Sequence, residues 1–520
     1  MHRIAAALIL LAVGAPAAAS TITVPTNFAD SIVVTGFAQP RAFAFLPDGR
    51  ALVLEQVTGK IRLVVGNHIA STDPVGSVSP TTSGAEEGAQ GIAIDPGWPA
   101  RPYVYVCYTG YPHVVYVVRF TASGQLSSPT GESMSLGSML VLIGDHPDSD
   151  GEHHSGCLRF GPDGMLYVSF GDNDVWCSAQ DSTSQCGQFE RLRVDLLPTG
   201  TNGGVQVPRG LIIAPGNPLS SPDSNAKLVW AYGFRNPWSY NIDPQTGLIY
   251  SADVGDATEE ELDEVHAGGM YGWPWREGNI VRGRNDCPEP GGQGNPANGF
   301  VAPIAAYLRD DNPHAISSPG MYRAPAGGAA DWPSGYDASV FYVDFFVGDL
   351  YRIVKDSISG AWNPAPSVPG QSGAPWGSGF LYGADWRIGA DGSFYWLQQS
   401  TTGGFTSTDG ALHRLSYVGP PAGVAPGPAG ALRLAAGPNP FGSATALSFV
   451  LPAAGPARLA LYDLGGRRVQ TLYDGAAPAG ETRIEWNGRD AGGRRVAPGL
   501  YVARLEASGG VRTLRLFRAQ

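Results

Sequence analysis

The chain has 520 residues, with 46 acidic against 34 basic and a formal net charge of −12. That balance excludes a nucleic-acid backbone as the main partner, because neutralising phosphates takes a basic surface. With 71 glycines, 43 prolines and little helical periodicity, the composition points to an all-β protein of more than one domain.

In chain order, the first element is an export signal. Arg3 precedes an apolar run over residues 4–13, and Ala17-Ala18-Ala19 supplies small residues before Ser20. Residues 1–19 are expected to be removed, leaving an exported chain (periplasmic, cell-surface or secreted). The apolar run is too short to span a bilayer comfortably, and no later stretch is long enough.

A repeating unit follows, in which an apolar strand, a Pro/Asp/Gly turn and a second apolar strand succeed one another. It reads Ala42-Phe43-Ala44-Phe45-Leu46-Pro47-Asp48-Gly49-Arg50-Ala51-Leu52-Val53-Leu54 first, and returns as Ile92-Ala93-Ile94-Asp95-Pro96 before the strand at 103–106. Further copies centre on Pro162-Asp163-Gly164, on Asp243-Pro244-Gln245-Thr246-Gly247 and on Asp391-Gly392, and Leu350-Tyr351-Arg352-Ile353 reads as an outer strand of another. Small antiparallel sheets recurring every several tens of residues predict a β-propeller over residues 25–418, with six blades and a binding mouth lined by loops. The best helix-like stretch, residues 258–265, is short and acidic; its charges suit a solvated face or a neighbouring cation equally.

Residues 419–431 are rich in Pro, Gly and Ala and read as a linker. Residues 432–520 alternate apolar and polar positions between Gly-rich turns, which predicts a small sandwich of about seven strands. Five cysteines (Cys107, Cys157, Cys177, Cys186, Cys287) leave at least one unpaired; Cys177 and Cys186 bracket a polar loop and are the expected disulfide. Neither haem-type nor zinc-type cysteine spacing occurs.

The chemistry concentrates in one strand-turn-strand unit. His153 precedes its first strand and Asp172 follows its second, so both can reach one rim of a sheet. A carboxylate that holds one imidazole nitrogen leaves the other as a general base. His154 would point the other way on an extended strand.

The motif around His153, together with Glu86-Glu87-Gly88-Ala89-Gln90-Gly91, Arg235-Asn236-Pro237, Asp253-Val254-Gly255-Asp256 and Tyr271-Gly272-Trp273-Pro274, resembles the glucose/sorbosone dehydrogenase family. The resemblance spans roughly residues 30–415 and implies a six-bladed propeller that uses pyrroloquinoline quinone (PQQ) and calcium to oxidise aldoses. It implies that His153 is the base, that Asp172 orients it and that Arg235 and Asn236 contact the quinone. It also implies that carbonyls of Gly255 and Asp256 hold a cofactor-linked calcium, and those of Glu261 and Tyr271 a structural one. Glu86 stands where active members carry a cofactor-binding Gln, Phe346 where they carry a Lys, and Tyr382 and Ala384 where they carry two Arg. Arg276, Arg282, Arg284, Arg309 and Arg387 are the candidate replacements. The last ninety residues resemble the flagellar hook-capping Ig-like domain and the sorting domain of type IX secretion cargo, which implies secretion machinery or the cell surface as partner.

Two functions follow. One is an exported quinoprotein aldose dehydrogenase acting on a small sugar and passing electrons to an acceptor. The other is a secreted propeller that has lost the quinone site and binds a carbohydrate or protein ligand.

Overall fold

The computed structural model of the chain describes residues 22–84, 86–148, 151–282, 287, 299–325, 331–403, 407–419, 433–437, 441–451, 453–463, 467–497, 499–507 and 510–518. The expected signal peptide and, but for Gly419, the expected linker lie outside them. Among the described residues regular structure is β-strand with four short 3-10 turns, and no helix is long and apolar enough to cross a membrane. The chain forms two compact units, residues 1–422 and 423–520.

The first unit contains six antiparallel sheets of four or five strands, besides a two-stranded ribbon. Their innermost strands are Pro40–Phe45, Ala89–Ile94, Leu158–Phe160, Ser239–Ile242, Ile316–Met321 and Gly383–Ile388. Each packs beside the next, and the last packs beside the first. The opening strand Phe28–Phe37 belongs to the final sheet, paired with Gly410–Tyr417. That pairing joins the two ends of the unit, so no sheet is left at an open end of the series.

The repeated Asp-Gly turn explains why each sheet forms locally. Gly49, Gly164 and Gly392 adopt φ of +90°, +76° and +84°, which glycine tolerates without strain. The preceding aspartates, Asp48, Asp163 and Asp391, each accept the N–H two residues on at 3.0–3.1 Å. Between the sheets lie apolar clusters that join neighbours: Leu52 and Leu63 meet Val104 and Phe120, for example, and Trp376 and Phe341 meet Trp386 and Phe394. The core is thus distributed around the unit rather than gathered at its centre.

The second unit packs a three-stranded sheet (Arg433–Gly437, Thr445–Leu451, Gly480–Trp486) and a four-stranded one (Gly455–Tyr462, Arg468–Ala477, Gly499–Ala507, Gly510–Arg518). Leu447, Phe449 and Leu451 alternate inward along one strand to meet Leu459, Trp486 and Leu505.

Two sequence expectations are corrected. The helix-like stretch at 258–265 is a strand, Glu259–Val265, and every residue in it is buried. It is an inner strand of its sheet, and two of its acids are paired, Glu260 to Arg309 and Glu264 to Lys355, so no solvated face exists. The disulfide joins Cys177 to Cys287, Cα atoms 5.3 Å apart, and not to Cys186. The Cys186 sulfur lies instead against the carbonyl of Ser184, 3.6 Å away. Cys107, Cys157 and Cys186 are free and buried.

Candidate active site

His153 and Asp172 come together. His153 Nδ1 lies 2.6 Å from Asp172 Oδ1, so Nδ1 carries the proton and Nε2 presents its lone pair. Asp172 is fully buried, and its Oδ2 accepts the indole N–H of Trp273 at 2.7 Å. Asp174 donates its backbone N–H to Oδ1, and the Asp172 N–H donates to the Arg235 carbonyl. Burial lowers the tendency of the His153 imidazole to charge, but the Asp172 hydrogen bond outweighs it and holds the ring above its ordinary 6.5. His153 is 5 % exposed, and no partner among the described residues takes Nε2. His154 is turned away and bonds Asp148 through Nε2 at 2.8 Å.

The backbone here is held in costly conformations. His153, Ser155, Asn173 and Asp174 all have φ between +52° and +57°. Non-glycine residues in that region cost of order 1–3 kcal/mol each and persist where the surroundings impose them. Gly171 is obligatory: a Cβ there would sit 2.0 Å from the His153 carbonyl oxygen.

Glu86 and Asn236 complete the cluster. The His153 N–H donates to Glu86 Oε2 at 2.8 Å, and the Asn236 amide donates to both Glu86 oxygens at 3.1 Å. Ser155 Oγ donates to Asn236 Oδ1. Asp253 anchors the next segment by accepting the N–H groups of Arg235 and Asn236 at 2.9 and 2.6 Å. Beside Glu86 and Asn236 opens a cavity of about 220 Å³, lined also by Gln56, Trp238, Val254, Ala315, Phe345, Phe346 and Gln399. A second, larger cavity lies at the opposite ends of the innermost strands, around Arg159 and Arg387.

The donor set does not fit a tricarboxylate quinone. The cavity beside Glu86 and Asn236 is walled by one carboxylate, amides and rings, and among the described residues no guanidinium or ammonium lines it. Buried anionic groups need paired cations. Arg235 turns instead to Asp256 (3.5 Å) and the Val254 carbonyl, and Arg282 pairs with Asp256 at 2.5 Å above Trp273. Arg309 is paired with Glu260, Arg276 packs on Phe300, Arg387 lines the far cavity, and Arg284 lies outside the described residues. The Gly255 carbonyl already accepts from Arg309 at 3.2 Å, and Glu277 Oε1 gathers the N–H groups of residues 256–259.

A different group suits a hard cation. The carboxylates of Asp253, Glu261 and Asp263 converge, each with an oxygen within 4.8 Å of the others, and all are buried. Both oxygens of Asp263 and the Ser251 hydroxyl lack a hydrogen-bond partner. Burial pushes these carboxyls up, Asp253 to about 7 and the other two well above their ordinary values. Three oxygen-donor carboxylates match calcium in chemistry. Glu261 thus offers its side chain. The Tyr271 hydroxyl donates to the Glu264 carbonyl and accepts from the His266 N–H. Asp263 as a partner was hidden in the sequence by reading the acidic run as helix-like; the period-two spacing of 261 and 263 was the signal.

The fold and the site define an all-β propeller carrying a carboxylate-held imidazole at one end of its innermost strands. The chain belongs to the glucose/sorbosone dehydrogenase family, whose profile matches residues 37–327, and the profile of the FlgD Ig-like domain matches residues 439–510. The HIPL2 protein of Arabidopsis thaliana is 33 % identical over 177 residues, 32 % of this chain and 25 % of that one. Quinoprotein glucose dehydrogenase B of Acinetobacter calcoaceticus is 24 % identical over 48 % of this chain and 52 % of its own length. The chain therefore spans only a quarter to about half of these two relatives. Among solved structures, a Thermus oxidoreductase described as a glucose dehydrogenase has a TM-score of 0.54 at 26 % identity, covering 75 % of this chain and 99 % of that one. The PQQ-bound aldose sugar dehydrogenase of Streptomyces coelicolor has the same TM-score at 23 % identity, covering 76 % and 99 %, and shares the fold.

Proposed function

We propose that the chain is an exported six-bladed propeller that binds a sugar at the His153 end of its innermost strands, with the C-terminal Ig-like unit serving secretion or surface attachment. The observation that carries this is a cavity of amides, aromatic rings and the Glu86 carboxylate that no cation among the described residues lines, joined to the His153–Asp172 pair through the His153 N–H bond to Glu86. Gln56, Asn236 and Gln399 offer donors and acceptors to hydroxyls, and Trp238 and Phe346 offer faces to C–H groups. A neutral polyol meets all of these without an unpaired charge, whereas a polyanion does not. The six sheets and their circuit of contacts support the blade number. Asp253, Glu261 and Asp263 would hold a structural calcium.

A second reading, aldose oxidation, is favoured by one observation: the base and its orienter are intact and held in strained backbone. Calorimetry with a panel of mono- and disaccharides, followed by dye-linked assay with added quinone and calcium, separates the two. Sugar binding that weakens at least about tenfold in Asn236→Ala, with no quinone uptake, is the expected result. No binding at millimolar sugar would overturn the proposal. Micromolar quinone binding with turnover would establish the second reading, and His153→Ala should then cost about 10²–10⁴ in rate while sparing cofactor binding.

A further inference from the structure

The loops at one end of the second sheet bring together three side chains that neither the sugar site nor the calcium cluster uses. Glu87 precedes Ala89–Ile94, His113 lies in the turn between Tyr103–Gly110 and Val114–Gly124, and Asp148 follows Met134–Pro147. The antiparallel order of these strands places the three loops side by side. One ligand atom of each lies within 4.8 Å of the others.

Both carboxylates are held by one oxygen and present the other. Glu87 Oε2 accepts the Ser83 N–H, the Ser83 hydroxyl and the Gly84 N–H, which leaves Oε1 facing His113 Nδ1 at 3.2 Å. Asp148 Oδ1 is bonded by His154, which leaves Oδ2 turned to the same nitrogen at 3.8 Å. That oxygen is buried and has no hydrogen-bond partner, on a side chain only 1 % exposed. Two buried carboxylates therefore face each other across an imidazole, with Glu87 within hydrogen-bond reach of Asp148, and their repulsion needs a shared proton or a positive charge between them. Metal bonds of about 2.0–2.1 Å in tetrahedral geometry set ligand atoms about 3.3 Å apart, close to the separations seen. The half-exposed His113 ring leaves a side open for water.

We propose that Glu87, His113 and Asp148 bind a divalent transition-metal ion of the zinc class, with His154 orienting Asp148 from behind. An imidazole nitrogen in the set favours zinc over calcium, which takes oxygen ligands. The ion would tie Glu87, the neighbour of Glu86, to Asp148, which holds His154 beside His153, and so steady the sugar site from outside it. The proposal does not rest on the assignment of that site.

The test uses the full-length mature protein, stripped of metal and kept in excess calcium so that the carboxylate cluster is filled. Zinc titration by calorimetry and elemental analysis after gel filtration should give one equivalent bound and a rise in melting temperature. His113→Ala, at a half-exposed position, and the isosteric Glu87→Gln should each weaken zinc binding at least about tenfold while melting cooperatively without zinc. Absence of stoichiometric zinc in the parent protein would overturn the proposal. So would unchanged zinc affinity in both variants.

Discussion

At the scale of single residues, the site turns on the protonation of His153. Its folded value lies above the ordinary 6.5 although burial opposes charge, because Asp172 stabilises the imidazolium. A group raised in this way adds stability that is full below the unfolded value and is lost as pH rises through the folded one. Urea melts of the parent and of His153→Gln should therefore differ most at acidic pH and converge above the folded value. Trp273→Phe removes the indole donor from the buried Oδ2 of Asp172 and should cost about 1–3 kcal/mol. The same substitution leaves more negative charge on Asp172 and should raise the His153 value further, read by NMR titration of its C–H signals. The contact between His153 and Asp172 was legible in the sequence, because a strand, a tight turn and a strand return the chain to one rim. Trp273 as third member was not, since it arrives from another sheet and no local pattern encodes that approach. Nor was the bond that Glu86 accepts from the His153 backbone N–H.

At the scale of elements, the Asp-Gly turns do more than reverse the chain. Asp163 and Asp391 accept a tyrosine hydroxyl two positions into the next strand, from Tyr167 and Tyr395, and an arginine from a third strand, Arg191 and Arg414. One carboxylate thus ties three strands, which explains why this small motif is what repeats. The repeat made the strands readable from sequence; the acidic strand Glu259–Val265 escaped because its burial depends on partners more than forty residues away, Arg309 and Lys355 among them. Gly171→Ala forces a methyl into the His153 carbonyl and should cost about 3 kcal/mol or more, with loss of sugar binding. The Cys177–Cys287 bridge spans 110 positions. Cys287→Ser should cost about 2–5 kcal/mol on the strength of that long loop, measured by denaturant melts with and without reductant. No spacing rule could have chosen Cys287, since the pairing depends on where two distant loops meet.

At the scale of the whole molecule, stability is spread over apolar contacts between adjacent sheets, so it depends on the series being closed. Deleting residues through Phe37 strips the partner from Gly410–Tyr417 and exposes a strand edge prone to self-association. Such a truncated chain should melt at lower temperature and elute as aggregates on gel filtration. Chelation with EDTA should lower the melting temperature of the intact chain, and calcium should restore it, with the response blunted in Asp263→Asn, because three buried carboxylates lose their counter-charge.

The same pairing of first strand with last sets a timetable. Ser31 finds Arg414 only across 383 positions, so a chain emerging amino end first must keep that strand waiting until nearly the whole unit has been made. Loop closure over such a span is entropically slow, and the unfinished arc is open to proteases and to other nascent copies throughout. A chaperone that shields the waiting strand would therefore govern yield, even though it would leave the finished protein no more stable.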